Sequence, residues 1–143
     1  MFGKDVAMST TYAWSAAYEI DQGVIDAQHR QLLELANLVR MAVHGQRGDE
    51  VLRVLGESFA ALEREALHHF ETEEAELERL GSPLLEEHRR LHAQIIREAR
   101  AIHQDIMKGY PADLAGTVEV WMLDRLITHI VRDDRAAFDA VRK

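Results

Sequence analysis

At 143 residues, with 47% hydrophobic side chains and only two prolines, the chain can bury one sizeable core and is neither disordered nor fibrous in composition. Its 25 acidic against 17 basic residues give a net charge of −8, and no window concentrates Lys and Arg without interleaved Glu, so nucleic acid and anionic membrane are not expected partners. The absence of cysteine excludes disulfides, thiolate zinc sites, iron–sulfur clusters and a cysteine nucleophile, and with no apolar run of signal-peptide or membrane-span length a soluble cytoplasmic protein is expected.

Residues 1–20 carry Tyr12, Trp14 and Tyr18 among small and polar side chains with no helical period, and read as an extended arm whose aromatics pack on the body. A first helix is expected from residues 21–23 to His44, because Ile25, Leu32, Leu33, Ala36, Val39 and Val43 recur with helical spacing before Gly45 and Gly48 interrupt it. A second runs from about Gly48 to Leu80 on the stripe Leu52, Leu55, Phe59, Leu62, Ala66 and Phe70, with Gly56 inside it costing roughly 1 kcal/mol against alanine. Gly81-Ser82-Pro83 then reads as a helix stop, an N-cap and a first helical position. A third helix follows from Pro83 to about Lys108, with Leu84, Leu91, Ile95, Ala99, Ile102 and Ile106 inward, and Gly109-Tyr110-Pro111 closes it. The fourth runs from Pro111 or Asp113 to Val141. Four long helices, short connections and no strand signal specify an all-α, up-down-up-down four-helix bundle: one domain over 1–143, with the arm at 1–20 and the bundle at 21–143.

Within that pattern His69 and Glu73 are four apart, as are His88 and His92, and side chains at i and i+4 stand one above the other on a helix. Glu73 lies eight residues before Gly81 and His88 six after Ser82, about 12 Å and about 9 Å from the turn, so the two pairs face each other at nearly one level. In the expected topology the start of the first and third helices and the end of the second and fourth share a pole. That pole gathers His29, His69, Glu73, His88, His92 and His129, together with Asp133 and Asp134. His44 ends the first helix at the other pole, His103 lies far along the third, and His68 points about 100° away from His69; these three read as surface residues.

Imidazole suits zinc, copper, iron and nickel, and bridging carboxylates belong to dinuclear sites. Five histidines exceed what one tetrahedral zinc can use, so two ions are the economical reading. If two octahedral ions share Glu73, an aspartate of the fourth helix and one solvent-derived oxygen, three histidines complete one ion and two leave the other with a free position. The ferritin-like carboxylate class needs Glu-x-x-His on two helices, and only Glu65-Ala66-Leu67-His68 matches.

With these residues in place the chain resembles the hemerythrins of the single-domain bacterial type: Trp14 in the arm, IDAQH at 25–29, HFETEE at 69–74, HRRLH at 88–92 and HIVRDD at 129–134. The resemblance implies a bundle around a non-haem di-iron centre, two Fe ions bridged by carboxylates and an oxo or hydroxo group, that binds O2 reversibly. On it, His88, His92 and His129 resemble the ligands of the filled iron, His29 and His69 those of the iron with the free position, and Glu73 and Asp134 the bridges. Regular helical geometry alone picks Asp133 instead, since i+4 lies nearer the His129 face than i+5, about 140° round. Leu32, Phe70, Leu126 and Ile130 would line a dry pocket while also serving as ordinary core residues. Arg125 stands four residues before His129, where the family has tryptophan; it is expected to turn outward, although it could favour small anions such as azide, and to admit water and speed autoxidation. The expected function is that of an oxygen carrier, store or sensor with no catalytic residue, the alternative being a di-iron peroxidase or nitric oxide reductase at the same site.

Overall fold

The computed structural model describes residues 12–45, 49–109 and 114–141, with the side chains of 45–52 outside that description. Three regular helices, α1 (Val24–Gly45), α2 (Asp49–Leu80) and α3 (Leu85–Lys108), are followed by a fourth, α4, continuous over 114–139. The fourth is not regular: α-helical turns at Leu114–Val120 and Arg135–Asp139 flank stretches at Trp121–Ile127 and His129–Asp134 that are wound with wider i→i+5 hydrogen bonds. No strand occurs among the described residues, and the helices form the expected all-α bundle, successive helices packed side by side and α4 returning against α1. Residues 1–11 of the arm, Gly48, the Tyr110 expected to help close the third helix, and the Pro111 or Asp113 expected to open the fourth lie outside the described residues, as does the side chain of Leu52.

The apolar stripes of all four helices meet in one large cluster containing Leu32, Phe59, Leu62, Phe70, Ile95, Leu126 and Ile130. A smaller cluster of Ile20, Ile25, Leu77, Ala137 and Phe138 closes the pole where α1 and α3 begin and α2 and α4 end. By sequence position the candidate ligands fall between the two, so a polar layer is sandwiched between dry ones. Leu84 and Leu91, expected inward, are only half-buried. Leu84 precedes the first turn of α3, and Leu91 sits about 100° off the line of its neighbour His92.

Gly81 ends α2 at φ 72°, and the N–H groups of Gly81 and Ser82 donate to the carbonyls of Glu78 and Leu77 at 3.1 and 2.9 Å. This is the double closure that favours glycine at the left-handed position. Ser82 was expected as the N-cap of α3, but that helix starts later, at Leu85. The serine hydroxyl instead receives Leu84 N–H at 3.3 Å and donates to the Ala137 carbonyl at 3.0 Å, tying the α2–α3 turn to α4.

The described part of the arm, residues 12–20, extended apart from one tight turn at Ala16–Tyr18, is fastened at both sides. Trp14 stacks on Tyr18 at 5.4 Å and carries the Arg30 guanidinium 4.1 Å from its ring, while the Asn37 amide exchanges two hydrogen bonds with the Tyr12 backbone. Arg135 donates to the carbonyls of Ala16, Ala17 and Glu19. Buried Asp26 accepts Ile20 N–H and Gln22 N–H, and the Asp21 carboxylate accepts the N–H groups of Gly23, Ile25 and Asp26 at the start of α1. The negative charge there also suits the helix N-terminus.

Candidate metal centre

Each helix delivers its ligands by spacing: His69 and Glu73 on one face of α2, His88 and His92 on one face of α3, His29 one turn into α1. On α4 the pair is His129 and Asp134, five apart, and the i→i+5 winding of His129–Asp134 is what brings the aspartate round to the histidine's side. All seven residues are buried, and their ligand atoms fall into two overlapping groups, each within 4.8 Å.

The first group holds five atoms. His88 Nε2 lies 2.9 Å from both Glu73 Oε1 and Asp134 Oδ1, and His92 Nε2 lies 3.0 Å from Glu73 Oε1 and from His129 Nε2. His129 Nε2 is 2.9 Å from Asp134 Oδ1 but 4.0 Å from Glu73 Oε1. Six-coordination with bonds of about 2.0–2.1 Å puts adjacent ligands roughly 2.9 Å apart and opposite ones roughly 4.1 Å apart, whereas a tetrahedron puts all at roughly 3.3 Å. Separations of 2.9–3.0 Å suit hydrogen bonds between these groups and equally neighbouring ligands of a six-coordinate ion, so the five atoms could hold one ion.

The second group holds four atoms and is looser. His29 Nε2 is 2.9 Å from Asp134 Oδ2 and 3.9 Å from Glu73 Oε2; His69 Nε2 is 3.6 Å from Glu73 Oε2 and 3.9 Å from Asp134 Oδ2. Each carboxylate therefore gives one oxygen to each group. His69 Nε2 and Glu73 Oε2 are buried without a hydrogen-bond partner, a penalty of about 1–3 kcal/mol apiece that a cation would remove. The residues present fit a metal.

A family model, the hemerythrin HHE cation binding domain, matches residues 22–140. The chain belongs to the hemerythrin family. Among curated relatives, the bacteriohemerythrin of Pseudomonas paraeruginosa is 31% identical over 121 residues, 83% of this chain and 74% of that protein. That of Stenotrophomonas maltophilia is 27% identical over 129 residues, 90% of this chain and 80% of that one, and that of Pseudomonas aeruginosa 30% identical over 121.

The buried carboxylates and imidazoles favour one another's charged forms. Burial and the adjacent Asp134 push the Glu73 carboxyl up, but hydrogen bonds from His88 and His92 outweigh them and hold it below the usual carboxylate range. Burial likewise pushes Asp134 up, and His129 and His29 pull it well below that range. Burial would lower His88 and His129, yet contacts with Asp134, Glu73 and, for His129, Asp133 carry them up to about 9 and about 10.

The outer ring nitrogens of His29, His69, His92 and His129 are held as well. His29 Nδ1 lies 3.2 Å from the Tyr18 carbonyl, His69 Nδ1 2.7 Å from Gln28 Oε1, His92 Nδ1 2.7 Å from Glu74 Oε2 and His129 Nδ1 3.1 Å from Asp133 Oδ2. Donation at Nδ1 leaves the Nε2 lone pair facing inward. Asp133, the rival ligand by regular spacing, thus supports His129 from behind. Sequence reasoning missed Gln28 and Glu74, each adjoining a ligand and resembling an ordinary surface residue.

Leu32, Phe70, Leu126 and Ile130 are all buried, with the Phe70 ring stacked on His92 at 3.9 Å. Arg125 is not among the ligand groups: its side chain is 41% exposed and Nε donates to Glu98 at 2.8 Å, beside a cavity of about 690 Å³ between α3 and α4. His44 pairs with Glu119, His103 lies half-buried 3.0 Å from Glu63, and His68 is exposed. No helix among the described residues is long and apolar enough to cross a membrane.

Proposed function

We propose that this hemerythrin holds two iron ions, one on His88, His92 and His129, the other on His29 and His69, with Glu73 and Asp134 between them, and binds O2 reversibly as a carrier, store or sensor. The observation that best supports this reading is the pair of overlapping ligand groups, five atoms and four, joined through both oxygens of two buried carboxylates. Iron in such a pair supplies reversible electron exchange with O2. The chain's part is positional: Glu73 and Asp134 would be shared between the two ions, His88, His92 and His129 would hold one, and His29 and His69, supplying fewer donors, would hold the one that takes a small molecule. Leu32, Phe70, Leu126 and Ile130, none more than 2% exposed, keep water from the ligands. We also take the protein to act in the cytoplasm and to turn over no substrate.

The test is iron analysis with an optical titration of the reduced protein. Two iron per chain and an absorption band that appears with O2 and fades on its removal are expected. Steady-state consumption of peroxide or nitric oxide with a reductant would replace this reading with an enzymatic one.

A further inference from the structure

The two ligand groups differ in what stands behind their histidines. In the five-atom group His92 is backed by the Glu74 carboxylate at 2.7 Å and His129 by the Asp133 carboxylate at 3.1 Å. In the four-atom group the acceptors are neutral: the Gln28 amide oxygen at 2.7 Å behind His69, and the Tyr18 carbonyl at 3.2 Å behind His29. The orientation of Gln28 is fixed by a chain of bonds. Its Nε2 donates to Thr72 Oγ1 at 3.2 Å, and that hydroxyl donates to the His68 carbonyl at 3.1 Å, so the amide oxygen has to face His69.

We propose that Glu74, Asp133 and Gln28 are positioning residues that make the two ions unequal, the carboxylates strengthening the grip of the five-atom group and the amide keeping the four-atom group a weaker electron donor. This rests on the two-ion reading above. A carboxylate accepting Nδ1–H draws the proton away and enriches the ring, raising the basicity of Nε2 toward a metal; a neutral acceptor does so less, since charge-assisted hydrogen bonds are roughly twice as strong. The group with more ligands is thereby also the one with richer ligands. The ion with the free position keeps the poorer set, which favours its lower oxidation state while it waits for a ligand. Glu74 also lines a surface cavity of about 470 Å³ with Arg89, whose Nε lies 3.6 Å from its carboxylate.

Cobalt(II) titration of the metal-free protein, followed by visible absorption, tests the inequality. Wild type should take up two ions in resolved steps. Glu74→Gln keeps an acceptor and removes the charge; it should weaken the first step by about 10-fold or more and leave the second unchanged. Gln28→Glu should tighten the second step alone, drawing the two affinities together, and in the iron-loaded protein it should lower the reduction potential, a shift that a merely structural residue would not produce. Circular dichroism of each metal-free variant should match wild type. Both steps moving equally in either variant, no movement, or a loss of folded protein in the isosteric Glu74→Gln would overturn the inference while leaving two ions per chain intact. Saturation of wild type at one cobalt would overturn the two-ion reading itself.

Discussion

The two sides of the metal centre share two carboxylates and little else. On the five-atom side five pairs sit at 2.9–3.0 Å and His129 and Glu73 at 4.0 Å; on the four-atom side only His29 and Asp134 approach 2.9 Å, and the other three pairs stand at 3.6–3.9 Å. Of the three buried polar side-chain atoms without partners among the described residues, His69 Nε2 and Glu73 Oε2 belong to the looser side, and the third is Trp121 Nε1, outside both groups. One side is drawn together by packing and hydrogen bonding alone, while the other carries unmet polar demand. Spare capacity sits where a small molecule could use it.

The comparison breaks most completely at the shared carboxylates. Asp134→Ala removes a ligand atom from both groups and leaves buried histidines facing one another, so metal analysis should find neither ion retained. His29→Ala removes only a four-atom ligand, and one ion per chain should survive, with the O2-dependent band lost. A mutant that loses both ions together would show the sides to be one cooperative unit.

A smaller effect appears with pH in the metal-free protein. His88 and His129 are raised from the ordinary 6.5 to about 9 and about 10, so each stabilises the folded state while protonated. That contribution is complete below about pH 6.5 and disappears as pH climbs through 9 to 10, so the Tm of the metal-free protein should fall across that window. Ligation requires neutral imidazole, so the metal-loaded protein should show little of this fall, and metal uptake at neutral pH should release protons. The smallest effect concerns Arg125. Its exposed pairing with Glu98 is worth no more than about 1 kcal/mol, and Arg125→Trp should change stability little while slowing autoxidation of the iron protein by filling space beside the α3–α4 cavity. Unchanged autoxidation would remove any role for that position in keeping water out.

The helices were legible because their stripes are long and regular: α1, α2 and α3 begin and end within about two residues of where periodicity places them. The facing pairs on α2 and α3 were legible for the same reason, since a regular helix turns spacing directly into direction. The fourth helix shows where this fails. Uniform winding of 100° per residue puts Asp133 beside His129, and only the resemblance pointed to Asp134; the wider turns that make Asp134 the inward residue leave no mark on apolar periodicity. Gln28 and Glu74 were invisible for another reason. A polar residue next to a ligand reads as solvated until the neighbouring helix is in place, and Gln28 acts across 41 residues of chain. Ser82 looked like a helix cap because the pattern Gly-Ser-Pro carries no information about α4, to which its hydroxyl is bonded.

The hydrogen bond between His29 and Asp134 spans 105 residues, joining the opening turns of the bundle to its closing ones. Closing so long a loop costs only logarithmically more than a short one. The α2–α3 hairpin by itself supplies His69, Glu73, His88 and His92, four of the seven residues. A site complete in all seven residues therefore exists only when all four helices have found their places.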